Sequence, residues 1–258
     1  MNPENSASDE KSVARLYNDV KVAERYIRRR FNLSWSRLLH QRQVAEINSA
    51  IRNCQPERIV EIAPGPARIA TDLQGVRTGL MIDSSEHMLT LAKRRLKVVG
   101  LDPVWELRQH NAFDLDTLER ECDLLYAFRF IRHFKPGERS RLYRAIRGSL
   151  KPKGLFMLDV VNRLVRRKLD AKNPPESNEE LDVYDATYSP DEFQHEMKVH
   201  GFTVISLKPV VRHFRLQSWM SYTFDHRIPR FSQMIVQLLE QLPSQNPLEW
   251  IALSCRTD

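Results

Sequence analysis

The segment 58–83 constrains the fold more than any other part of the chain. Residues 58–63 read RIVEIA, an apolar run with an acid, Glu61, near its end. The turn APGP leads into a predicted helix at 67–73, and a second apolar run ends in Asp83. This order brings two strand ends side by side, where a backbone turn can approach a ligand. Because an acid there can accept hydrogen bonds from ribose hydroxyls, the segment predicts a nucleotide-like ligand.

The alternation of strands and helices continues along the chain. Apolar runs predict further strands at residues 104–110, 123–130, 155–161, 202–211 and 248–255. Helical spacing of apolar residues predicts helices between them, and this succession is typical of a parallel sheet covered on both sides. We therefore predict an α/β fold: a doubly wound, mostly parallel, seven-stranded sheet with helices on both faces, plus an N-terminal helical cap.

Composition indicates an ordinary globular chain with a basic balance. The 258 residues carry a formal charge of +7 and only three, widely spaced cysteines. No apolar run approaches the roughly 20 residues needed to span a bilayer, and the cysteine spacing fits neither a disulfide framework nor a metal site. These features predict a cytoplasmic protein with no metal and no membrane partner, and they leave the oligomeric state open.

Three basic runs carry much of the charge, at residues 28–30, 93–95 and 166–168. They are separated in sequence and lack the interleaved aromatic residues that are typical of RNA-binding surfaces. This arrangement favours solvated helix faces. A nucleic-acid partner stays open, because a continuous basic surface near a site could bind one.

Five short blocks point to a family. They are VEIAPG at residues 60–65, MIDSS at 81–85, NAF at 111–113, DLLYAFRFIRHF at 123–134 and LKPKG at 150–154. With these blocks the chain resembles a class I S-adenosylmethionine (SAM)-dependent methyltransferase over residues 58–208 and the final strand. The resemblance implies SAM as the cofactor and methyl transfer as the reaction.

The resemblance also implies a set of cofactor contacts. Asp83 accepts both ribose hydroxyls, Gly65 lets the loop approach the methionine end, and Glu61 orients that end. Asn111 retains a carbonyl that can accept from the adenine amino group, while Phe113 either packs on the adenine or belongs to the core. The full predicted set is Tyr17, Tyr26, Glu61, Ala63, Gly65, Asp83, Ser84, Met88, Asn111, Ala112, Phe113 and Ala127.

Four segments are predicted on this basis. Residues 1–53 form an N-terminal tail and helical cap, and residues 54–211 form the SAM-binding Rossmann-like core. Residues 212–247 form a partly helical insertion that serves as a substrate lid, and residues 248–258 supply the last strand of the core sheet.

His133 and Arg129 are the predicted catalytic residues. A histidine at the end of a strand, with an ordinary pKa near neutrality, suits a general base. Arg129 interrupts an apolar run, which is unusual for a surface residue, and an arginine there could fix a carboxylate or phosphate. The predicted substrate contacts are Arg132, Asn162, Tyr184, Tyr188 and His213.

Two features depart from the family pattern and leave alternatives open. Gly65 is the lone glycine of its loop, between Pro64 and Pro66, and Arg132-His133 stands where small-molecule members often carry other pairs. We expect in-line methyl transfer to a small molecule, at oxygen in preference to nitrogen or sulfur. The alternatives are an RNA or protein methyltransferase that uses the basic surface, and a catalytically silent binding protein.

Overall fold

A single sheet organises the described part of the protein, which in this computed structural model comprises residues 32–171 and 184–257. Its eight strands run in the order β3-β2-β1-β4-β5-β8-β7, with the short β6 beside β5. The strands are β1 Arg58–Ile62, β2 Thr78–Asp83, β3 Trp105–Gln109, β4 Cys122–Ala127, β5 Leu150–Asn162, β6 Thr187–Tyr188, β7 Phe202–Val210 and β8 Glu249–Arg256. The predicted fold class is confirmed; β6 is the strand that the sequence pattern does not show.

Helices cover both sides of this sheet. They are α1 Ser34–Cys54, α2 Glu86–Val98, α3 Leu115–Leu118, α4 Pro136–Ser149, α5 Arg163–Asp170, α6 Pro190–Val199, α7 Phe214–Phe224 and α8 Pro229–Gln241. Two of these helices begin with a serine cap: Ser85 accepts a hydrogen bond from the Met88 N–H, and Ser189 opens α6 with Glu192 in a capping box. None of the helices in the described ranges is long and apolar enough to cross a membrane.

Strand direction decides where a ligand can bind. β1 pairs in parallel with β2 on one side and with β4 on the other, so the chain crosses over between β2 and β4. Ligands of open α/β sheets bind at the carboxyl edge beside such a crossover. Only β8 runs antiparallel to its neighbours, β5 and β7, so β7 also ends at this carboxyl edge.

Alternating side chains divide the core between the two faces. Val60 and Ile62 join a cluster with α4 and α6 residues on one face. Ile59 points to the other face, where it packs with Tyr126 and with residues of α1 and α2. Glu61 has the same parity as Ile59, so its carboxyl group reaches the α1 side of the sheet.

The helix predicted at residues 67–73 was wrong. Turns occupy 65–69, followed by a 3₁₀ helix at Ala70–Asp72 only. The physical reason is the backbone of the loop, where Ala63, Gly65 and Ala67 all take a positive φ of 51–54°. An α-helix needs consecutive residues in the right-handed conformation. The prolines of the loop also lack N–H groups, so fewer hydrogen bonds are available to start a helix.

The insertion is more helical than the sequence pattern indicates. It folds as two antiparallel helices, α7 and α8, here called the helical hairpin (residues 214–241). The hairpin follows β7 and returns to β8 at the carboxyl edge of the sheet. It is fastened to α1, because the Asp225 carboxylate accepts hydrogen bonds of 2.5 Å from the Ser34 N–H and hydroxyl.

Candidate cofactor and acceptor site

The loop after β1 adopts the left-handed backbone conformation of a glycine-rich loop, although it contains a single glycine. Positive φ recurs at every second residue, Ala63, Gly65 and Ala67, although a left-handed conformation costs a non-glycine residue roughly 1–2 kcal/mol. A side-chain carbon added at Gly65 would meet no atom within 4 Å. The backbone at Gly65 therefore borders open space, as a loop that receives a ligand requires.

Asp83 joins this loop to the second strand. Its Oδ2 accepts the Gly65 N–H at 3.3 Å and its Oδ1 accepts the Ser85 N–H at 2.9 Å. Burial raises the pKa of the Asp83 carboxyl to about 6, although the backbone donors favour the charged form. At neutral pH the group is a carboxylate whose remaining lone pairs can accept hydroxyl donors.

Glu61 supplies a second, more deeply buried carboxyl group. It is 4% exposed, and its Oε2 accepts a hydrogen bond of 2.9 Å from the Tyr126 hydroxyl. Burial raises the pKa of Glu61 to about 8, against the opposing effects of the Tyr126 hydrogen bond and the Arg68 charge. Glu61 is therefore protonated at neutral pH unless a cation approaches it.

A cleft opens beside Glu61 and the loop after β1. It is lined by Glu61, Ala63, Pro64, Gly65, Arg68, Ile69 and Phe128. Arg68 links the cleft to α1, because its guanidinium contacts His40 Nδ1 at 2.7 Å and donates to Gln43 at 2.8 Å. The cleft thus combines one acid, one arginine, an aromatic ring and residues of the loop.

The predicted adenine and ribose neighbours lie around the ends of β2 and β3. Ser84 is exposed, Met88 is buried in the first turn of α2, and Ala112 is buried. Asn111 caps a 3₁₀ turn, where its Oδ1 accepts the Phe113 N–H at 3.1 Å. That oxygen has a second lone pair, so the predicted adenine contact stays compatible with the cap.

Phe113 packs as a core residue. It is 7% exposed, lies edge-on to Phe134 at 5.3 Å, and carries the Arg141 guanidinium over its ring. Ala127, at the end of β4, is fully buried. For Phe113 the packing favours the core alternative, and cofactor contact by either residue stays a prediction.

A buried charge cluster occupies the next part of the carboxyl edge. Arg132 is paired with Asp185 at 2.8 Å, with Asp159 at 3.3 Å and with Glu249 at 3.7 Å. Burial acts to lower the pKa of Arg132, but the three carboxylates outweigh it and raise that pKa. Arg132 is thus an internal partner of carboxylates from separate segments, and its predicted contact with a substrate stays a prediction.

Arg129 belongs to the same cluster. Its backbone takes a positive φ of 58°, and its N–H donates to Asp159 Oδ1 at 2.6 Å. The Glu249 carboxyl group also lies near the charge of Arg129. Burial, and next the charge of Asp159, raise the pKa of Glu249 to about 7, and the charge of Arg129 opposes that rise. Arg129 therefore lies at the end of β4 in a strained conformation held by Asp159, which is common near functional sites.

His133 lies beyond Arg132 with one ring nitrogen fixed. Its Nδ1 is 3.2 Å from the Tyr184 carbonyl oxygen, which can only accept, so Nδ1 carries the proton. Burial, and next the Arg132 charge, lower the pKa of His133 below its ordinary value. The ring is therefore neutral at physiological pH, with its lone pair on Nε2.

The remaining predicted acceptor residues have structural partners. Asn162 is buried, caps α5 by accepting the Leu164 N–H, and donates to the Pro247 carbonyl. The Tyr188 hydroxyl donates to Glu196 at 2.8 Å. His213 precedes α7 and its Nε2 lies 3.4 Å from the Leu242 carbonyl, whereas Tyr184 is 40% exposed. Tyr17 and Tyr26 lie outside the described residues, and for all six, cofactor or substrate contact stays a prediction.

Sequence reasoning missed several residues that shape the site. Arg68 and Phe128 line the cleft, Tyr126 holds Glu61, and Glu249 completes the charge cluster. An arginine just after the loop and a tyrosine within an apolar strand were visible signals. Glu249 had none, because its place depends on the antiparallel return of β8. In the described ranges no group of three or more His, Cys, Asp or Glu residues could hold a metal ion.

Comparison with known proteins finds a family model that matches the part of the chain containing this site. Residues 59–154 match the family model described as a methyltransferase domain. No curated protein matches the chain. The resemblance to class I methyltransferases is thereby confirmed for the domain that contains the cleft.

Solved structures agree with the fold. The magnesium protoporphyrin IX methyltransferase of Synechocystis, with bound SAM, is 11% identical with a TM-score of 0.62 over 96% of this chain and 97% of that one. The DhpI–SAH complex is 15% identical with a TM-score of 0.60 over the same shares. An O-methyltransferase family protein from Burkholderia thailandensis is 12% identical with a TM-score of 0.58 over 85% of this chain. The chain spans 57% of that protein's length.

Proposed function

We propose that this chain, whose residues 59–154 match a methyltransferase domain, transfers a methyl group from SAM to an oxygen of a small-molecule acceptor. One observation carries the proposal: the Asp83 carboxylate bonds the Gly65 N–H beside a cleft lined by Glu61 and loop backbone. Such a paired strand end and turn is the binding edge of nucleotide-type ligands in α/β sheets.

The residues present fit SAM. Gly65 borders open space, and Asp83 is a half-buried carboxylate suited to two hydroxyl donors. Glu61 is a buried acid that gains a charge when a cation approaches, so it would hold the ammonium of the methionine end, with Arg68 beside it for the carboxylate. When bound, SAM supplies an electrophilic methyl group on a sulfonium.

In this proposal His133 is the general base that removes the proton from a hydroxyl group of the methyl acceptor. Its neutral ring, with Nδ1–H donating to the Tyr184 carbonyl, leaves Nε2 as the basic atom. The acceptor O–H proton would pass to Nε2 while the oxygen bonds to the methyl carbon, whose bond to the sulfonium sulfur breaks so that a neutral thioether leaves. The chain's other contribution is to place the two reactants in line and exclude water.

Two features support a small acceptor. Similar structures include an O-methyltransferase family protein and a methyltransferase named for a porphyrin, magnesium protoporphyrin IX. The described basic runs lie on separate helices, α2 and α5, rather than within one element. A cytoplasmic location stays a prediction.

The proposal is tested by transfer of a labelled methyl group. Protein, RNA and a small-molecule extract are each incubated with methyl-labelled SAM and the purified chain. Label in organic-soluble products of the extract supports the proposal. Label in RNA or protein alone supports the alternative acceptors, and the absence of SAM binding by calorimetry supports a silent binding protein.

A further inference from the structure

The helical hairpin turns an unusually apolar face to water. A helix on a globular protein normally turns its apolar stripe inward and its polar face outward. Here the inward face combines buried polar residues with Met220 and Val236, which pack on Leu38 of α1, and large apolar side chains also line the outward face. The inward polar residues are Gln217, Ser221, Ser232 and Glu240, and the outward apolar residues are Leu216, Trp219, Tyr222, Phe231, Met234 and Leu238.

The inward polar residues form a satisfied network. Gln217 donates at 3.1 Å to both the Val236 carbonyl and the Glu240 carboxylate. That carboxylate also accepts the Val211 and Arg212 N–H groups, at 3.2 and 2.9 Å. Because these bonds fix how the hairpin sits on the protein, it cannot rotate its apolar face inward without leaving buried polar groups without partners.

Aromatic residues connect the outward faces of the two helices through the half-buried Phe224. Trp219 contacts Phe224 edge-on at 6.0 Å, and Phe224 contacts Phe231 at 6.3 Å. Trp219 is 55% exposed and Tyr222 is 68% exposed. Exposed apolar surface of this extent, rich in aromatic residues, marks an interaction site.

The charges around this surface have one sign. Segment 212–247 contains only two acids, Asp225 and Glu240. Both are buried in hydrogen bonds, with side-chain exposure of 8% for Asp225 and residue exposure of 3% for Glu240. The exposed arginines of the segment are Arg215, Arg227 and Arg230.

We propose that the helical hairpin binds the surface of an anionic membrane, with its apolar face in the lipid headgroup boundary and its arginines on lipid phosphates. Tryptophan, tyrosine and aliphatic side chains with flanking arginines are the composition of interfacial helices. A second copy of this chain fits less well, because a two-fold contact would place the same arginine-rich face against itself. The inference goes beyond methyl transfer and revises the sequence expectation of no membrane partner.

Vesicle flotation of the full-length protein tests the proposal. We expect it to float with phosphatidylcholine vesicles that contain phosphatidylglycerol and to remain with the buffer when phosphatidylglycerol is absent. The double variant Trp219→Ser/Phe231→Ser should lower the partition coefficient at least about tenfold. Arg227→Gln and Arg230→Gln should each lower it about fivefold on anionic vesicles.

The matched control is Val98→Ser/Val199→Ser, which removes exposed apolar side chains on α2 and α6, away from the hairpin; these valines are 86% and 65% exposed. It should bind as the wild type does. Circular dichroism and thermal unfolding confirm that every variant is folded. A second readout is fluorescence: brominated lipid should quench wild-type emission, and Trp219→Phe should remove the quenched fraction.

Three outcomes would overturn the proposal. The first is a lack of vesicle binding by the wild type, or binding that the hairpin variants do not weaken. The second is a dimer in light scattering that the Trp219→Ser/Phe231→Ser variant dissociates, which would assign the surface to a second copy. The third is a Trp219 already shielded from acrylamide without lipid, which would assign the surface to residues 1–31 of the chain.

Discussion

The raised pKa of Glu61 makes the stability of the protein depend on pH. Burial raises the pKa of Glu61 to about 8 in the folded protein, against 4.5 for an ordinary glutamate. Between these values the folded state holds a proton on Glu61 that the unfolded state has lost, so the contribution of Glu61 to stability is full below pH 4.5 and is lost as pH rises through about 8. We predict that Glu61 lowers the free energy of unfolding across this window by up to about 1.4 kcal/mol per pH unit, in addition to the falls due to Asp83 and Glu249, whose pKa values burial also raises.

Urea unfolding at a series of pH values measures this slope. Glu61→Gln keeps the shape and removes this titrating group, so the slope between pH 4.5 and 8 should become shallower by up to about 1.4 kcal/mol per pH unit. Glu57→Gln is the matched control, because its side chain is 77% exposed. A slope as steep in Glu61→Gln as in the wild type would show that Glu61 is not the group responsible.

His133 should act through its neutral ring. Burial and the Arg132 charge lower its pKa below 6.5, so the base form persists through neutral pH and is lost only on acidification below that lowered pKa. We predict that His133→Gln lowers kcat roughly a hundredfold, the lower range for loss of a general base. The acid limb of the pH–rate profile should disappear with it.

His200→Gln is the control for this measurement. His200 also has a pKa lowered by burial, but it stacks on Tyr143 and contacts Ser140 in the α4–α6 layer. Its replacement should leave kcat and the acid limb unchanged. An unaltered kcat in His133→Gln would remove the histidine from the reaction and leave it as a packing residue.

At the scale of elements, the loop after β1 carries backbone strain that a substitution can relieve. Ala63 holds a φ of 51° that glycine adopts without steric cost. We predict that Ala63→Gly raises the free energy of unfolding by about 0.5 kcal/mol, since relief of roughly 1–2 kcal/mol outweighs the added entropy of the unfolded chain. Thermal unfolding measures the change.

The same substitution in a regular helix should have the opposite effect. Ala45 is exposed within α1, and Ala45→Gly should lower stability by about 1 kcal/mol. A destabilised Ala63→Gly variant would mean that the loop leaves its left-handed conformation in solution.

The buried charge cluster around Arg132 connects the ends of several strands. Arg132 neutralises Asp159 of β5, Glu249 of β8 and Asp185, which precedes β6. We predict that Arg132→Met lowers the free energy of unfolding by about 3–5 kcal/mol at neutral pH, because buried carboxylates lose their cation. The loss should shrink at acidic pH, where those carboxyls are protonated. Arg144→Met, on the outer part of α4, should cost little in comparison.

At the scale of the whole molecule, local sequence patterns were sufficient to predict the main strands of the sheet. The strand runs, the Ser85 and Ser189 caps and the acid at the end of β2 follow from periodicity and strand-end chemistry within short windows. The predicted helix at 67–73 failed because Ala67, its first residue, adopts a left-handed φ of 54°, which alanine rarely shows and which composition therefore does not signal.

Long-range contacts account for the rest. The three partners of Arg132 come from positions 159, 185 and 249, which only the folded sheet brings together. The same holds for the hairpin, whose inward face is fixed by the hydrogen bonds of Gln217 and Glu240 together with the packing of Met220 and Val236 on Leu38. Periodicity alone would have turned the outward apolar residues inward.

The central claim is that Asp83 holds the sugar of SAM at the carboxyl edge of β2. Calorimetric titration of SAM into the wild type and into Asp83→Asn, with the exposed Asp102→Asn as control, tests it most directly. We predict that Asp83→Asn weakens binding about 30–100-fold, from the loss of charge-assisted hydrogen bonds, and that wild-type affinity also falls below about pH 6 as Asp83 is protonated. Undiminished affinity in Asp83→Asn would contradict the account.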